Sequence, residues 1–243
     1  MSKGMPERSA EKIYDAFADE YRDYSEKKQS YIHAVDREII NHFKDPVGKI
    51  LDYGSGDGVR GATLSQQLHA DQLIQVDISD AMVEKCKTLG KATQCMNVSS
   101  AEWAEFKIEA DLVLCLWNVL GHIPTTELRI ETLKRLRSHM KKAATIAIDV
   151  NNRHYEGYGY WSSLRRRVVD AISPDYSRGD VVFDWEIKGV KYPSSGHFFT
   201  AAEMKDLLGQ SGFSIQKMIA VDYQNGTVSD QLTKGQLLTI AKA

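Results

Sequence analysis

Lys49-Ile50-Leu51-Asp52-Tyr53-Gly54-Ser55-Gly56-Asp57-Gly58-Val59-Arg60 is the stretch on which the reading of this chain turns. A short apolar run feeds three glycines at alternate positions, and residues 62–68 can then form a helix. That order is the strand, turn and helix with which a parallel sheet brings its backbone close to a nucleotide-like ligand. Glycine has no Cβ, so Gly54, Gly56 and Gly58 permit positive φ and close approach at little steric cost. Nineteen positions beyond Gly58, after the second apolar run Leu73-Ile74-Gln75-Val76, stands Asp77. A carboxylate there can accept hydrogen bonds from both hydroxyls of a ribose.

The loop can be read in two registers. Asp52-x-Gly54-x-Gly56-x-Gly58 resembles the first motif of class I S-adenosylmethionine-dependent methyltransferases. Gly56-x-Gly58-x-x-Gly61 instead matches a dinucleotide fingerprint, which leaves Tyr53-Gly54-Ser55 unexplained because that fingerprint should follow its strand directly. The first register is preferred. The resemblance implies S-adenosylmethionine as cofactor, no metal, and Asp52 near the amino group of the cofactor's methionine part. It places Gly54, Ser55, Gly56, Gly58, Asp77 and Ile78 around the cofactor. Asn97 and Val98 would lie in the loop at the adenine, with Leu116 and Tyr14 completing the site.

Composition sets wide bounds. The 243 residues are 42% apolar and 26% charged with a formal net charge of −2, an ordinary globular balance. Nucleic-acid partners usually meet a basic excess, so this balance argues against one. No apolar run approaches the roughly 20 residues that span a bilayer. Residues 1–10 carry charge without an apolar core, unlike a secretory signal. Cys86, Cys95 and Cys115 form no C-x-x-C pair, which suits a reducing cytoplasm, the expected location.

Residues 10–44 contain neither Gly nor Pro, which predicts helix. Tyr14, Phe17, Tyr21, Tyr24, Lys28 and Tyr31 recur at spacings of three and four, on one helical face. Phe17 reads as core packing, whereas the phenols can cover a pocket and offer hydroxyls as well. The rest of the first 150 residues alternates strand and helix: a strand at 73–76, a helix capped by Ser79, a weak strand at 92–96, and a capping box at Ser99-x-x-Glu102. A central strand follows at 111–117, then a helix from Pro124-Thr125 with basic residues facing solvent, and a strand at 143–150.

The alternation then stops. Tyr155, Tyr158, Tyr160 and Trp161 crowd together, Leu164, Val168 and Ile172 recur every four residues, and 181–186 has a strand pattern. Arg165-Arg166-Arg167 reads as the wet side of the intervening helix. A capping box at Thr200-x-x-Glu203 and strands at 213–221 and 236–241 close the chain. The expected fold is one α/β domain over 1–243: a doubly wound, mostly parallel seven-stranded sheet with an antiparallel final strand. Its parts are an N-terminal helical lid (10–44), a cofactor core (45–150), a substrate cap inserted after the fifth strand (151–198), and a C-terminal helix with closing strands (199–243).

The resemblance implies methyl transfer to an O, N or C nucleophile of a small molecule. A methyltransferase acting on RNA or protein, and a nicotinamide-dependent oxidoreductase, are the alternatives. In the resembled family the segment after the fourth strand passes beside the sulfonium, so Asn118 and His122 become catalytic candidates together with Tyr24. Tyr21, Asn151, Tyr158 and Trp161 are the candidates for acceptor binding. A base is needed only for a protonated nucleophile: a hydroxyl would want His122 or a carboxylate, and a neutral amine would not.

Overall fold

The computed structural model describes residues 10–243. The N-terminal helix divides into three: α1 (Ala10–Phe17), α2 (Tyr21–Glu26) and α3 (Gln29–Ile40). The alternation that follows is β1 (Lys49–Tyr53), α4 (Val59–Gln67), β2 (Gln72–Asp77), α5 (Asp80–Leu89), β3 (Gln94–Asn97), α6 (Ala101–Glu105), β4 (Ala110–Cys115), α7 (Thr126–Ser138) and β5 (Met140–Val150). Next come α8 (Tyr160–Ile172), the strands β6 (Asp180–Ile187) and β7 (Val190–His197), and α9 (Ala201–Gln210). The chain closes with β8 (Ser214–Val221), β9 (Val228–Ser229) and β10 (Gln236–Lys242).

The main sheet has eight strands in the order β3-β2-β1-β4-β5-β10-β8-β9. The expected seven are joined by the two-residue β9 at the edge. Strands β1 to β5 are parallel, and β10 runs antiparallel to both β5 and β8, so β8 returns to the common direction. The central strand β4 is nearly all apolar, and one core cluster lies on each face of the sheet. Strand order reverses between β1 and β4, and in open α/β sheets the crevice at that point receives ligands. Among the described residues no helix is long and apolar enough to cross a membrane.

Local chemistry moved several boundaries. Ser100, not Ser99, caps α6, accepting from the Trp103 amide at 3.1 Å, while the Ser99 amide donates to Asn97 Oδ1. The strand pattern at 181–186 proves to be half of a separate hairpin. Its turn is Lys188-Gly189, both at positive φ, which matches the right-handed twist of paired strands. Pro193 in the second half is tolerated because a two-stranded ribbon consists only of edges. Helix α8 buries only Ser163. Val168 and Ile172 of its apolar repeat are exposed, Ile172 by 80%.

The largest departure is Arg129. Expected on the solvent side of α7, it is 2% exposed, with its guanidinium over the Phe199 ring and Nε donating to the Ile123 carbonyl at 3.0 Å. Glu203, 1% exposed, lies 3.9 Å from it. Thr200 caps α9 as expected, but the Glu203 carboxylate turns away from the cap to His197 Nε2 at 2.8 Å. The other ring nitrogen of His197 meets Asp180 Oδ1 at 2.6 Å, so this cluster ties the root of the hairpin to α7 and α9.

Removing one member of a buried charge cluster strands the others. Arg129→Met keeps the apolar stem but leaves Glu203 short of a cation, and should cost about 3 kcal/mol. Adding Glu203→Gln should recover at least ~1 kcal/mol of that loss, since the orphaned charge is then gone. Urea unfolding of the two single variants and the double variant measures the coupling. Simple additivity would show that the two side chains do not interact.

Candidate functional site

The site begins where β1 ends. The amides of Gly54 and Ser55 both donate to the Val76 carbonyl, at 2.8 and 3.0 Å, so the turn is pulled onto the end of β2. The next amide, of Gly56, donates to Asp77 Oδ2 at 2.8 Å, and the Ser79 amide donates to Oδ1 at 3.0 Å. One carboxylate thus joins the glycine turn to the start of α5. Gly54, Gly56 and Gly58 have φ of 76°, 56° and 83°, conformations that suit glycine. A Cβ on Gly56 would stand 2.7 Å from the Tyr21 hydroxyl, and one on Gly58 2.7 Å from Cys86 Sγ.

Below the turn, Asp52 accepts from Gln75 Nε2 at 3.1 Å, and the same nitrogen donates to the Gly58 carbonyl at 2.8 Å. A Cβ on Gly61 would come within 2.1 Å of the Asp52 carboxylate. The third glycine of the dinucleotide register therefore makes room for Asp52. Burial pushes the Asp52 and Asp77 carboxyls each up to about 6, against the hydrogen bonds they accept.

Two adjoining cavities open at this end of the sheet. The first, about 120 Å³, is bounded by Gly54, Gly56, Asp77, Ile78, Val98 and Leu116 from the sheet ends, and by Tyr14 and Tyr21 from the N-terminal helices. Tyr53, Val119 and Ile123 also line it, and the sequence reading had passed over all three. Ser55, Gly58, Asp52 and Asn97 do not reach its wall. Asn97 spends its amide on the loop itself, donating to the Ile78 carbonyl and Asp80 and accepting from the Ser99 amide.

The second cavity, about 310 Å³, is bounded by aromatic rings from three places. Tyr14, Phe17, Tyr21 and Tyr24 come from α1 and α2, Phe183 and Trp185 from β6, and Trp117, Phe198 and Tyr223 from loops. Its polar lining is Asn118, His122 and Asn151. Phe17 both packs and lines, at 6% exposure. Tyr14, Tyr21, Trp117 and His122 belong to both cavities.

Asp149 holds Trp117 there against backbone strain. Trp117 and Asn118 have φ of 61° and 62°, a left-handed conformation costly for an indole-bearing residue. The buried Asp149 carboxylate accepts from the Trp117 amide and from the Tyr31 hydroxyl, the latter at 2.5 Å. Asn118 Oδ1 in turn accepts from the Asn151 amide at 2.9 Å, so Asn118 chiefly laces β4 to β5. His122 Nε2 is 3.0 Å from the Tyr14 hydroxyl, and the ring also hydrogen-bonds the Ser195 backbone in β7. Desolvation pushes the imidazole down to about 4, which keeps it neutral.

Two expected acceptor residues lie elsewhere. Trp161 is 77% exposed with Tyr160 as its ring partner, because α8 turns that face to solvent. Tyr158 accepts from Gln236 Nε2 and stacks on Phe198, one layer behind the cavity wall. Aromatic residues scattered through strands and loops carry no periodic signal, so Trp117, Trp185, Phe198 and Tyr223 were invisible as a group before folding.

Comparison with solved structures returns the same architecture at low identity. A structure described as a DhpI-SAM-HEP complex is 17% identical, with a TM-score of 0.69 over 96% of this chain and 95% of that one. A SAM-dependent methyltransferase from Methanosarcina mazei is 18% identical, with a TM-score of 0.61 over 84% and 95%. Another from Clostridium acetobutylicum is 12% identical, at 0.62 over 95% and 98%. No curated protein matches the sequence. A family model described as a methyltransferase domain matches residues 20–217, which contain the glycine turn, Asp77, the strained Trp117 corner and the hairpin. The chain belongs to that methyltransferase-domain family.

Proposed function

We propose that this protein transfers a methyl group from S-adenosylmethionine to a small molecule held in the aromatic cavity. The observation that carries the reading is the shared wall: Tyr14, Tyr21, Trp117 and His122 face both cavities, so a donor in one and an acceptor in the other would meet across it. The glycine turn and Asp77 fit the donor. Asp77 keeps acceptor capacity on both oxygens for a ribose, and the turn at positive φ places Gly54 and Gly56 in the cavity wall. Bound there, the sulfonium supplies an already activated methyl group.

What the chain contributes is placement. Ordering two reactants within a closed site replaces most of the entropic barrier, and excluding water protects the reacting centre. Helix α1 is docked for this purpose: Asp15 accepts from the Ser79 hydroxyl at 2.5 Å and from the Ala81 amide, and Arg22 in α2 pairs with Asp57 of the turn. His122 acts here by fixing Tyr14. With Nε2 engaged by that phenol and a low proton affinity, it is a poor base. A nucleic-acid or protein acceptor would call for an open groove in place of the aromatic enclosure. S-adenosylhomocysteine should raise the melting temperature and NAD should not. A rise with NAD alone would overturn this reading in favour of an oxidoreductase.

Gly56→Val should fold and fail to bind S-adenosylhomocysteine in titration calorimetry, since its side chain would collide with Tyr21 and fill the cradle. Near-native affinity in the folded variant would remove the glycine turn from the donor site.

The Asp77 carboxyl accepts from ribose hydroxyls on both oxygens when ionised, and protonation turns one of those oxygens into a donor and removes the charge. With its folded value near 6, affinity should be level above about pH 7 and fall as pH drops through 6, approaching tenfold per unit below about pH 5. Asp77→Asn should weaken binding at pH 8 by about 1.5–3 kcal/mol and flatten the profile. Asp52→Asn should leave the slope in place. A slope surviving in Asp77→Asn would assign it to another group.

The lid expected over 10–44 and 151–198 is narrowed here to α1, α2 and the β6–β7 hairpin. With S-adenosylhomocysteine bound, amides of 10–31 and 180–197 should exchange more slowly, while those of α8 should not change. Unchanged exchange in both segments would make them fixed walls.

A further inference from the structure

The aromatic cavity also bears on what is methylated. Tyr24 and Trp117 stack with centroids 5.7 Å apart and planes at 21°. Trp185 stands edgewise to Phe17 at 5.0 Å, and lies 6.1 Å from Tyr24 and 6.5 Å from Tyr14. A cation in a space lined by so many rings is attracted to any π face it meets within about 6 Å of the centroid, and an anion is repelled. Among the described lining residues there is no Asp, Glu, Lys or Arg. A phosphate or carboxylate would be desolvated there without a cationic partner.

We propose that the methyl acceptor is a neutral amine and the product an ammonium cation, with a tertiary amine giving a quaternary ammonium as the case that fits best. This rests on the methyl-transfer reading above. The methyl group leaves sulfur without its bonding electron pair, which stays on the donor as a thioether, and the amine lone pair forms the new N–CH3 bond. The positive charge thus moves from sulfur to nitrogen, from the shared wall into the ring cluster. No proton is released when the acceptor is tertiary. That agrees with the polar lining: His122 Nε2 is engaged by Tyr14 and Asn118 Oδ1 by the Asn151 amide, which leaves no ready proton sink for a hydroxyl. Trp185 is the specificity-determining residue under this assignment, because its ring bridges the N-terminal helices and the hairpin.

The test uses binding, so it does not require the natural acceptor. Protein saturated with S-adenosylhomocysteine is titrated with choline and phenyltrimethylammonium, and with their neutral isosteres 3,3-dimethylbutanol and tert-butylbenzene, following tryptophan fluorescence and calorimetry. Each cation should bind about tenfold or more tightly than its isostere, and Trp185→Leu should reduce that ratio about fivefold or more. Trp185→Phe should restore most of it, and retained S-adenosylhomocysteine affinity shows that each variant is folded. Equal affinities, or no binding of either cation, would overturn the amine assignment and leave the donor site standing. Failure of S-adenosylhomocysteine itself to bind the wild type would overturn the donor reading and this one with it.

Discussion

The hydrogen bond from the Gly56 amide to the Asp77 carboxylate, 2.8 Å long and buried, is the constraint from which the site is built. It closes a turn that no residue with a Cβ could make as cheaply, and it presents the same carboxylate at the cavity wall. Keeping a carboxylate in that environment is unfavourable, which is why burial raises its proton affinity even though three backbone amides act against the shift. Sites that bind polar ligands commonly hold such groups, since a ligand's hydroxyls then replace water that the fold has already removed. The N-terminal helices dock on the same feature through Asp15, so loop, strand end and lid are fastened within a few ångströms of one another.

A second carboxylate repeats the logic on the other side of β1. Asp149 ends β5 and captures the Trp117 amide, Tyr31 from α3 binds its other oxygen, and the Asn118 amide donates to its backbone carbonyl. Two successive left-handed residues are expensive unless the surroundings over-determine them, and here they do. The result is an indole held across both cavities, stacked on Tyr24 and edgewise to Tyr21. Strain at that corner is a cost of placing one rigid ring where donor and acceptor would meet.

Much of this was legible before folding because short-range rules govern it. Glycines at alternate positions, an acid after the second strand and an apolar fourth strand are local statements, and the parallel core follows from them. The aromatic enclosure was legible only in its N-terminal half, where Tyr14, Tyr21 and Tyr24 share helical spacing. Its other half depends on where a hairpin folds back, and Trp185 and Phe198 become neighbours of α1 only through that return. Trp161 misled for a related reason. Crowded aromatics look like a lid, but whether α8 turns them inward is decided by Ser163, its one buried residue, and by packing that the sequence does not encode locally. Arg129 misled because a cation in an amphipathic helix normally faces water, and only the distant Glu203 and Phe199 make burial tolerable.

The hairpin then poses a mechanical question that its own contacts answer. Its root is clamped: His197 is bonded to Asp180 and Glu203, with Arg129 close by, and Phe198 donates its amide to Gly179. Its far end, the Lys188-Gly189 turn, has an exposed Val190 beside it, and Ile187 there packs with Ile13 and Phe17 of α1. A ribbon of two strands has no neighbours to stiffen it, so bending concentrates between a fixed root and an apolar latch. Trp185 lies two residues from that latch, and Ser195, which holds His122, lies two residues from the root. The tryptophan therefore lies on the stretch of ribbon between latch and root, while the histidine is held close to the clamped root.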